Sequence, residues 1–172
     1  MKPTEHSMNS TLTLEEKLIY ANHYYIDKAR RLYPSLEISY PVIKTTLKGK
    51  ASGMAYFSLW QVNYNMEILK NNEKEFLVQT VGHEIAHLVA HKILGSLGHD
   101  KGWKVIMRLF GLEPKRCHNY NMEGVTVKTR KTVSYSCGCP EKTHEIGIVR
   151  HKNILKGSIF QCCKCKTNIN AM

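Results

Sequence analysis

The 172-residue sequence contains no apolar run near the roughly 20 residues that a membrane-spanning helix needs. Its beginning, MKPTEHSMNSTLTLEEK, also lacks the apolar segment of a secretory signal. It has no internal repeat and no low-complexity tract, and its 42% hydrophobic content excludes a disordered chain. From these features we expect a soluble, cytoplasmic, monomeric protein with no membrane partner.

Cysteine is absent from the first 116 residues, and all six cysteines follow that point. Disulfides are rare in the cytoplasm, so close-set cysteines in such a chain favour metal binding over cross-linking.

Acidic residues are scarce in the C-terminal part of the chain. Residues 113–172 contain 11 basic and 4 acidic side chains, whereas residues 1–112 contain 14 and 10. A basic segment of this kind suits a polyanion, most often a nucleic acid. The alternative is a solvated basic surface that serves solubility alone.

Helix and strand signals alternate in the first 113 residues. Thr13 and Glu16 form a capping box, which predicts the start of a long helix. Segments 36–43 and 54–64 are predicted strands, and Pro41 favours an edge position for the first because it has no amide to donate. The predicted helices cover residues 14–32, 73–94 and 103–110.

Helical periodicity is lost beyond Pro114. Short β-prone pieces at 131–136, 145–150 and 157–161 touch or lie between the cysteine pairs. We therefore predict two domains, an α+β domain over residues 1–113 and a small β domain over residues 114–172.

The predicted second helix contains the pattern H-E-x-x-H, formed by His83, Glu84 and His87. Residues four apart lie on one helical face, so two imidazoles at this spacing can bind one zinc ion. The glutamate is then placed to take a proton from the zinc-bound water. The alternative is a helix whose histidines are merely polar or hydrogen-bonded.

A catalytic zinc needs a third protein ligand, for which His91 and His99 are candidates. His91 lies about 12 Å along the helix axis from His83, which is too far for both to share one ion with His87. Gly95 and Gly98 allow the chain to reverse after the helix. We therefore predict that His99 is the third ligand.

The cysteines form two close pairs suited to a tetrahedral structural zinc site. The predicted ligands are Cys137 and Cys139 in one pair and Cys162 and Cys165 in the other. Cys163 could replace Cys162, because either choice leaves a close pair. Cys117 has no near partner and is predicted to be an ordinary thiol.

These motifs resemble the SprT-like metalloprotease family, which includes the Spartan proteases. VGHEIAHLVAH and GHDKGWKVIM are similar to its H-E-x-x-H motif and its H-G-x-x-[WF] motif, with Asp100 where glycine is usual. The C-terminal YSCGC, RHKNILKG and CCKC are similar to the zinc ribbon of the bacterial members.

The resemblance implies a zincin-like metalloprotease domain followed by a β zinc ribbon, with one catalytic and one structural Zn²⁺. It implies a zinc-dependent endopeptidase in which Glu84 activates water. The implied partners are DNA, with single-stranded DNA among the candidates, and proteins that are bound or crosslinked to DNA. The implied process is DNA–protein crosslink repair, and the implied location in a bacterium is the nucleoid.

Two other functions fit the same residues. The first is a nucleic-acid-binding zinc protein whose histidine site is not catalytic, although such a site has no need of Glu84. The second is a metal-dependent hydrolase that acts on bonds other than peptides. The sequence indicates no side chain that would stabilise an oxyanion.

Overall fold

The computed structural model describes residues 11–127, 131–140 and 142–171. They form two compact units, and the first ends at Val127. The predicted mixture of helices with a small sheet is confirmed. No described helix combines the length and apolar character that crossing a membrane requires.

Helix α1 spans Leu14–Leu32 and begins at the predicted capping box. The Glu16 amide donates to Thr13 Oγ1 at 3.2 Å, and the Thr13 amide donates to Glu16 Oε2 at 2.7 Å. The hydroxyl and the carboxylate thereby satisfy two amides that have no partner inside the helix. The inner face of α1 is buried through Leu18, Ala21, Asn22, Tyr25, Ile26 and Ala29.

A three-stranded sheet packs beside the helices. Its strands are β1 (Val42–Lys44), β2 (Gly53–Tyr56) and β3 (Gln61–Tyr64), in the order β1-β3-β2. β1 is parallel to β3 and β2 is antiparallel to it, so β1 and β2 are both edge strands.

The first strand is shorter than predicted. Residues 36–41 do not join the sheet, because two carbonyls in this segment accept hydrogen bonds from side chains. Arg30 Nε donates to Ile38 O at 2.7 Å, and Trp60 Nε1 donates to Ser39 O at 3.0 Å. Pro41 immediately precedes β1 at the sheet edge, as its missing amide predicts.

A continuous helical run extends from Glu73 to Leu94, as predicted. Helix α2 (Met66–Asn71) precedes this run. The run itself consists of α3 (Glu73–Glu75), a π-helical turn (Phe76–Thr80) and α4 (Val81–Leu94). Ile85, Leu88 and Val89 of α4 are fully buried. Helix α5 follows over Lys101–Leu109.

The first unit ends at Val127, inside the segment 113–130 where the change of composition places the boundary, but later than the predicted domain end at residue 113. The reason is that residues 113–127, here called the strap, return to the first unit. Tyr120 is buried in its core, the Asn121 amide donates to Asn72 Oδ1 at 2.8 Å, and the Thr126 amide donates to Glu67 Oε2 at 2.8 Å.

The second unit contains β4 (Thr132–Ser136), β5 (Thr143–Gly147), α6 (Ile148–Leu155) and β6 (Asn170–Ala171). The sheet order is β5-β4-β6, and both pairings are antiparallel. The β-prone piece 145–150 turns helical at Ile148 because Ile154 on α6 packs on the unit's small core. Piece 157–161 forms only an isolated bridge between Gln161 and Asn168.

Candidate metal centres and active-site cleft

Three imidazoles converge in the first unit. The Nε2 atoms of His83 and His87 are 3.2 Å apart, those of His87 and His99 are 3.2 Å apart, and those of His83 and His99 are 3.0 Å apart. A triangle of this size has a point about 2.1 Å from all three nitrogens, which is the usual zinc–nitrogen distance. The structure thus brings together the three predicted ligands.

The loop after α4 brings His99 to this position. Gly95 ends α4 with φ = 65°, a left-handed conformation that glycine adopts without a steric penalty. Asp100 then caps α5, accepting from the Trp103 amide at 3.1 Å and from Ser96 Oγ at 2.6 Å. Its φ of −77° is open to any residue, so the turn does not require the glycine that is usual here.

The indole of Trp103 forms the base of the histidine cluster. It is fully buried, and its ring centroid lies 4.8, 5.3 and 4.6 Å from those of His83, His87 and His99. Its N–H donates to the backbone carbonyl of His83 at 3.3 Å. The indole therefore fixes all three rings from one side.

His91 lies outside the cluster. Its Nδ1 is 3.1 Å from the Ser96 carbonyl, and its ring stacks on Phe57 with centroids 4.3 Å apart. Both contacts keep the ring turned away from the metal site, so His91 caps the loop and supports the wall of the cleft.

The charge state of the histidines fits a cation. Burial, and then the neighbouring imidazoles, lower the pKa of His83 to about 4 and that of His87 to about 3. Burial, and then Arg116, also lower the pKa of His99. At neutral pH all three rings are neutral, which is the form that binds metal.

Glu84 lies beside the cluster and is 6% exposed. Burial raises the pKa of its carboxyl to about 8, and a hydrogen bond from the Ala55 amide opposes the rise. A methyl group at Gly53 would lie 2.6 Å from Cγ of Glu84, so the carboxyl packs where a side chain of β2 would otherwise be. A cation held by the histidines would favour the ionised form of this carboxyl.

The cluster opens into a cleft of about 900 Å³. Strand β2 contributes Gly53 and Ala55 to its lining, and the loop after α4 contributes Leu97. The strap supplies Lys115 to Tyr120, and the carbonyl of Lys115 accepts a hydrogen bond from His83. Sequence reasoning missed this contribution, because nothing local in residues 113–127 indicates that they return to the site.

The second unit brings together the four predicted thiol ligands, Cys137, Cys139, Cys162 and Cys165. Their sulfur atoms all lie within 4.8 Å of one another. Cys162 is 1% exposed, whereas Cys163 is exposed and lies outside the group. The structure therefore favours Cys162 for the position that the spacing left open.

The surroundings of the thiols suit thiolates around a cation. Hydrogen bonds from Thr167 lower the pKa of Cys165 to about 5, and backbone amides lower that of Cys162. A hydrogen bond to Cys165 raises the pKa of Cys139 to about 12, so the cluster without metal retains a shared proton. His144 Nε2 lies 3.2 Å from Cys137 Sγ, as a donor to a ligating sulfur would.

Seven cationic side chains of the second unit are exposed: Lys131, Lys142, Arg150, Lys152, Lys156, Lys164 and Lys166. Arg130, which belongs to the same basic C-terminal segment, lies outside the described residues. The two aromatic residues beside the cysteines pack within the second unit. Tyr135 is buried with its hydroxyl 2.9 Å from His151 Nδ1, and the Arg150 guanidinium lies 5.3 Å from the Phe160 ring centroid.

Comparisons with known proteins find similar sequences over most of the chain. Residues 14–139 match the model of the SprT-like family. Protein SprT of Pseudomonas putida strain F1 is 35% identical over 140 residues, which cover 80% of each chain. Protein SprT of Pseudomonas entomophila is 36% identical over 129 residues, covering 73% of this chain and 77% of the relative. No solved structure matches the chain.

Proposed function

The chain belongs to the SprT-like family, and from this premise and its histidine site we propose that it is a zinc-dependent endopeptidase acting on proteins bound or crosslinked to DNA. The observation that carries the proposal is the meeting of three neutral imidazoles, with nitrogens 3.0 to 3.2 Å apart, beside a buried glutamate in an open cleft. A purely structural site needs neither the cleft nor the carboxylate.

His83, His87 and His99 would hold the catalytic ion, and the four cysteines would hold a second, structural one. When bound, a catalytic zinc supplies Lewis acidity, which polarises a carbonyl and lowers the pKa of water. Three protein ligands leave one position open for substrate or solvent, whereas four thiolates close the coordination sphere.

Glu84 moves the protons of the reaction. As a water oxygen attacks the peptide carbon, the carboxylate takes one proton from that water. It then passes the proton to the peptide nitrogen as the C–N bond breaks, giving a carboxylic acid and an amine. The Ala55 amide and the absent side chain at Gly53 hold the Glu84 carboxyl on the cleft side of α4.

The substrate would bind as an extended strand. Strand β2 is an edge of its sheet and lines the cleft next to Glu84. An extended peptide can add to such an edge through main-chain hydrogen bonds, which requires no particular side-chain sequence. This mode suits an enzyme that must cleave many different proteins.

DNA would recruit the substrate. Within residues 131–140 and 142–171, seven exposed cationic side chains accompany a single carboxylate, Glu145. That carboxylate already accepts hydrogen bonds from Thr132 Oγ1 and Ser134 Oγ, both at 2.7 Å. Phosphate groups are the natural partners of such a surface, and their binding should weaken with salt.

The test compares wild type, Glu84→Gln and the exposed-site control Glu37→Gln on a DNA-binding protein, with and without single-stranded DNA. We expect wild type and Glu37→Gln to cleave in the presence of DNA and Glu84→Gln to be inactive with its zinc retained. Cleavage by Glu84→Gln would refute the catalytic role. DNA binding without cleavage by wild type would support the nucleic-acid-binding alternative.

A further inference from the structure

A histidine of the strap has an unpartnered nitrogen. Within the described residues, Nδ1 of His118 is the buried side-chain nitrogen or oxygen atom that has no hydrogen-bond partner. Leaving a buried polar atom unpaired is unfavourable, and such atoms are uncommon. The position of the ring therefore calls for an explanation.

The ring of His118 is held firmly in place. It stacks on Tyr120 with centroids 4.1 Å apart and an interplanar angle of 20°. The Tyr120 hydroxyl lies 2.9 Å from Thr80 Oγ1 on the π-helical turn, and its ring stacks on Phe76. This turn leads directly into α4, so His118 is fixed relative to the helix that bears His83 and Glu84.

His118 also lies in the wall of the cleft. It lines the same cleft as His83, Glu84 and His99 but does not belong to the metal-binding group. With Nδ1 sealed, Nε2 is the ring nitrogen that can meet a ligand in the cleft. Burial lowers the pKa of His118, so the ring is neutral and carries one proton at neutral pH.

The surroundings favour that proton on Nε2. A buried N–H without an acceptor is rarer in proteins than a buried acceptor without a donor, so Nδ1 is better left unprotonated. Nε2 then presents an N–H to the cleft. A fixed, neutral donor of this kind suits a peptide carbonyl oxygen that gains negative charge during hydrolysis.

We propose that His118 donates a hydrogen bond to the carbonyl oxygen of the scissile peptide, and that this bond strengthens as charge develops on the oxygen. The assignment rests on the proposed peptidase function and supplies the stabilising side chain that the sequence does not indicate. His118 acts on the substrate and leaves proton transfer to Glu84.

The test uses His118→Phe, which keeps a ring to stack on Tyr120, and His118→Gln, which keeps a donor. His23→Phe on α1 is the matched control. Loss of a donor of this type lowers kcat by about 100-fold or more. We expect such a loss in His118→Phe, partial recovery in His118→Gln, wild-type KM and zinc content in both, and a Tm for His118→Phe no lower than that of wild type.

A second readout measures binding without turnover. A phosphinic peptide imitates the charged, tetrahedral state, whereas the matching amide peptide imitates the ground state. His118→Phe should weaken binding of the phosphinic peptide by about the same factor as kcat, while affinity for the amide, measured in the Glu84→Gln background, should hardly change. Equal weakening of both ligands, or loss of zinc, would indicate a structural role and overturn the assignment.

The outcomes also separate this assignment from the function on which it rests. Wild type that cleaves while His118→Phe keeps full kcat would overturn the role of His118 alone. Wild type that cleaves no protein, with or without DNA, would overturn both.

Discussion

The buried carboxyl of Glu84 should make the stability of the metal-free first unit depend on pH. Its folded pKa is about 8, against an ordinary value of 4.5. Above pH 4.5 the unfolded chain ionises this group, whereas the folded protein keeps it protonated until the pH approaches 8. The contribution of Glu84 to stability therefore falls as pH rises through this window.

The size of the effect follows from the two pKa values. Between pH 5 and pH 7.5, the ionisation of the unfolded chain lowers the free energy of unfolding by about 3 kcal/mol. Glu84→Gln removes this pH-dependent contribution to the free energy of unfolding, because glutamine does not ionise. The variant should therefore gain about 3 kcal/mol relative to wild type as the pH is raised from 5 to 7.5, while other titrating groups cancel in the difference.

The assay is urea unfolding of the metal-free proteins followed by tryptophan fluorescence. Both tryptophans, Trp60 and Trp103, lie in the first unit, so the signal does not report on the cysteine cluster. Glu37→Gln controls for the loss of one carboxylate. If the free energy of unfolding of wild type minus that of Glu84→Gln does not change between pH 5 and pH 7.5, that result refutes the burial argument. With zinc added, this difference should depend less on pH, because a cation lowers the pKa of the carboxyl.

Three substitutions test other parts of the two centres. Gly53→Ala should lower kcat/KM at least 10-fold in the cleavage assay, because its methyl group would lie 2.6 Å from the Glu84 side chain. Gly98→Ala is the control and should cleave normally, since the space around Gly98 is open. Equal rates for the two variants would contradict the close packing of Glu84 on Gly53. Elemental analysis should find that Cys162→Ser reduces the zinc content from two ions per chain to one, whereas Cys163→Ser does not. The reverse result would make Cys163, and not Cys162, the fourth thiol ligand. Asp100→Ala should lower the urea midpoint of the first unit through loss of a helix cap, and Asp100→Asn should lower it much less.

The convergence of the candidate metal ligands could be predicted because their geometry is largely local. His83 and His87 are one helical turn apart, so a correct helix prediction already places them together. His99 needed only the inference that Gly95 reverses the chain, which its φ of 65° confirms. The cysteine pairs follow the same logic, although spacing alone could not choose between Cys162 and Cys163.

The strap could not be predicted, because its position depends on contacts between distant residues. Its anchors are single polar contacts, such as the Asn121 amide with Asn72 and the Thr126 amide with Glu67, and these leave no periodic trace in the sequence. The role proposed for His118 was hidden for the same reason. The helical part of the second unit was missed because Ile148 and Val149 are strong β-formers, whereas the contact that ties this helix to the small core is made later, by Ile154.

The two centres place different demands on their surroundings. The histidine site lies on a helix whose inner face is fully buried by Ile85, Leu88 and Val89, so its imidazoles are positioned by the core whether or not an ion is present. Among residues 131–140 and 142–171, the core of the second unit has four buried residues, and one of them, Cys162, is itself a candidate ligand. So small a core should not offset the conformational entropy of the second unit by itself, and we expect metal binding to supply much of its folding free energy. On the proposed function, the first centre would keep an open position for chemistry, while the second would close its coordination sphere to stabilise the unit that bears the basic surface.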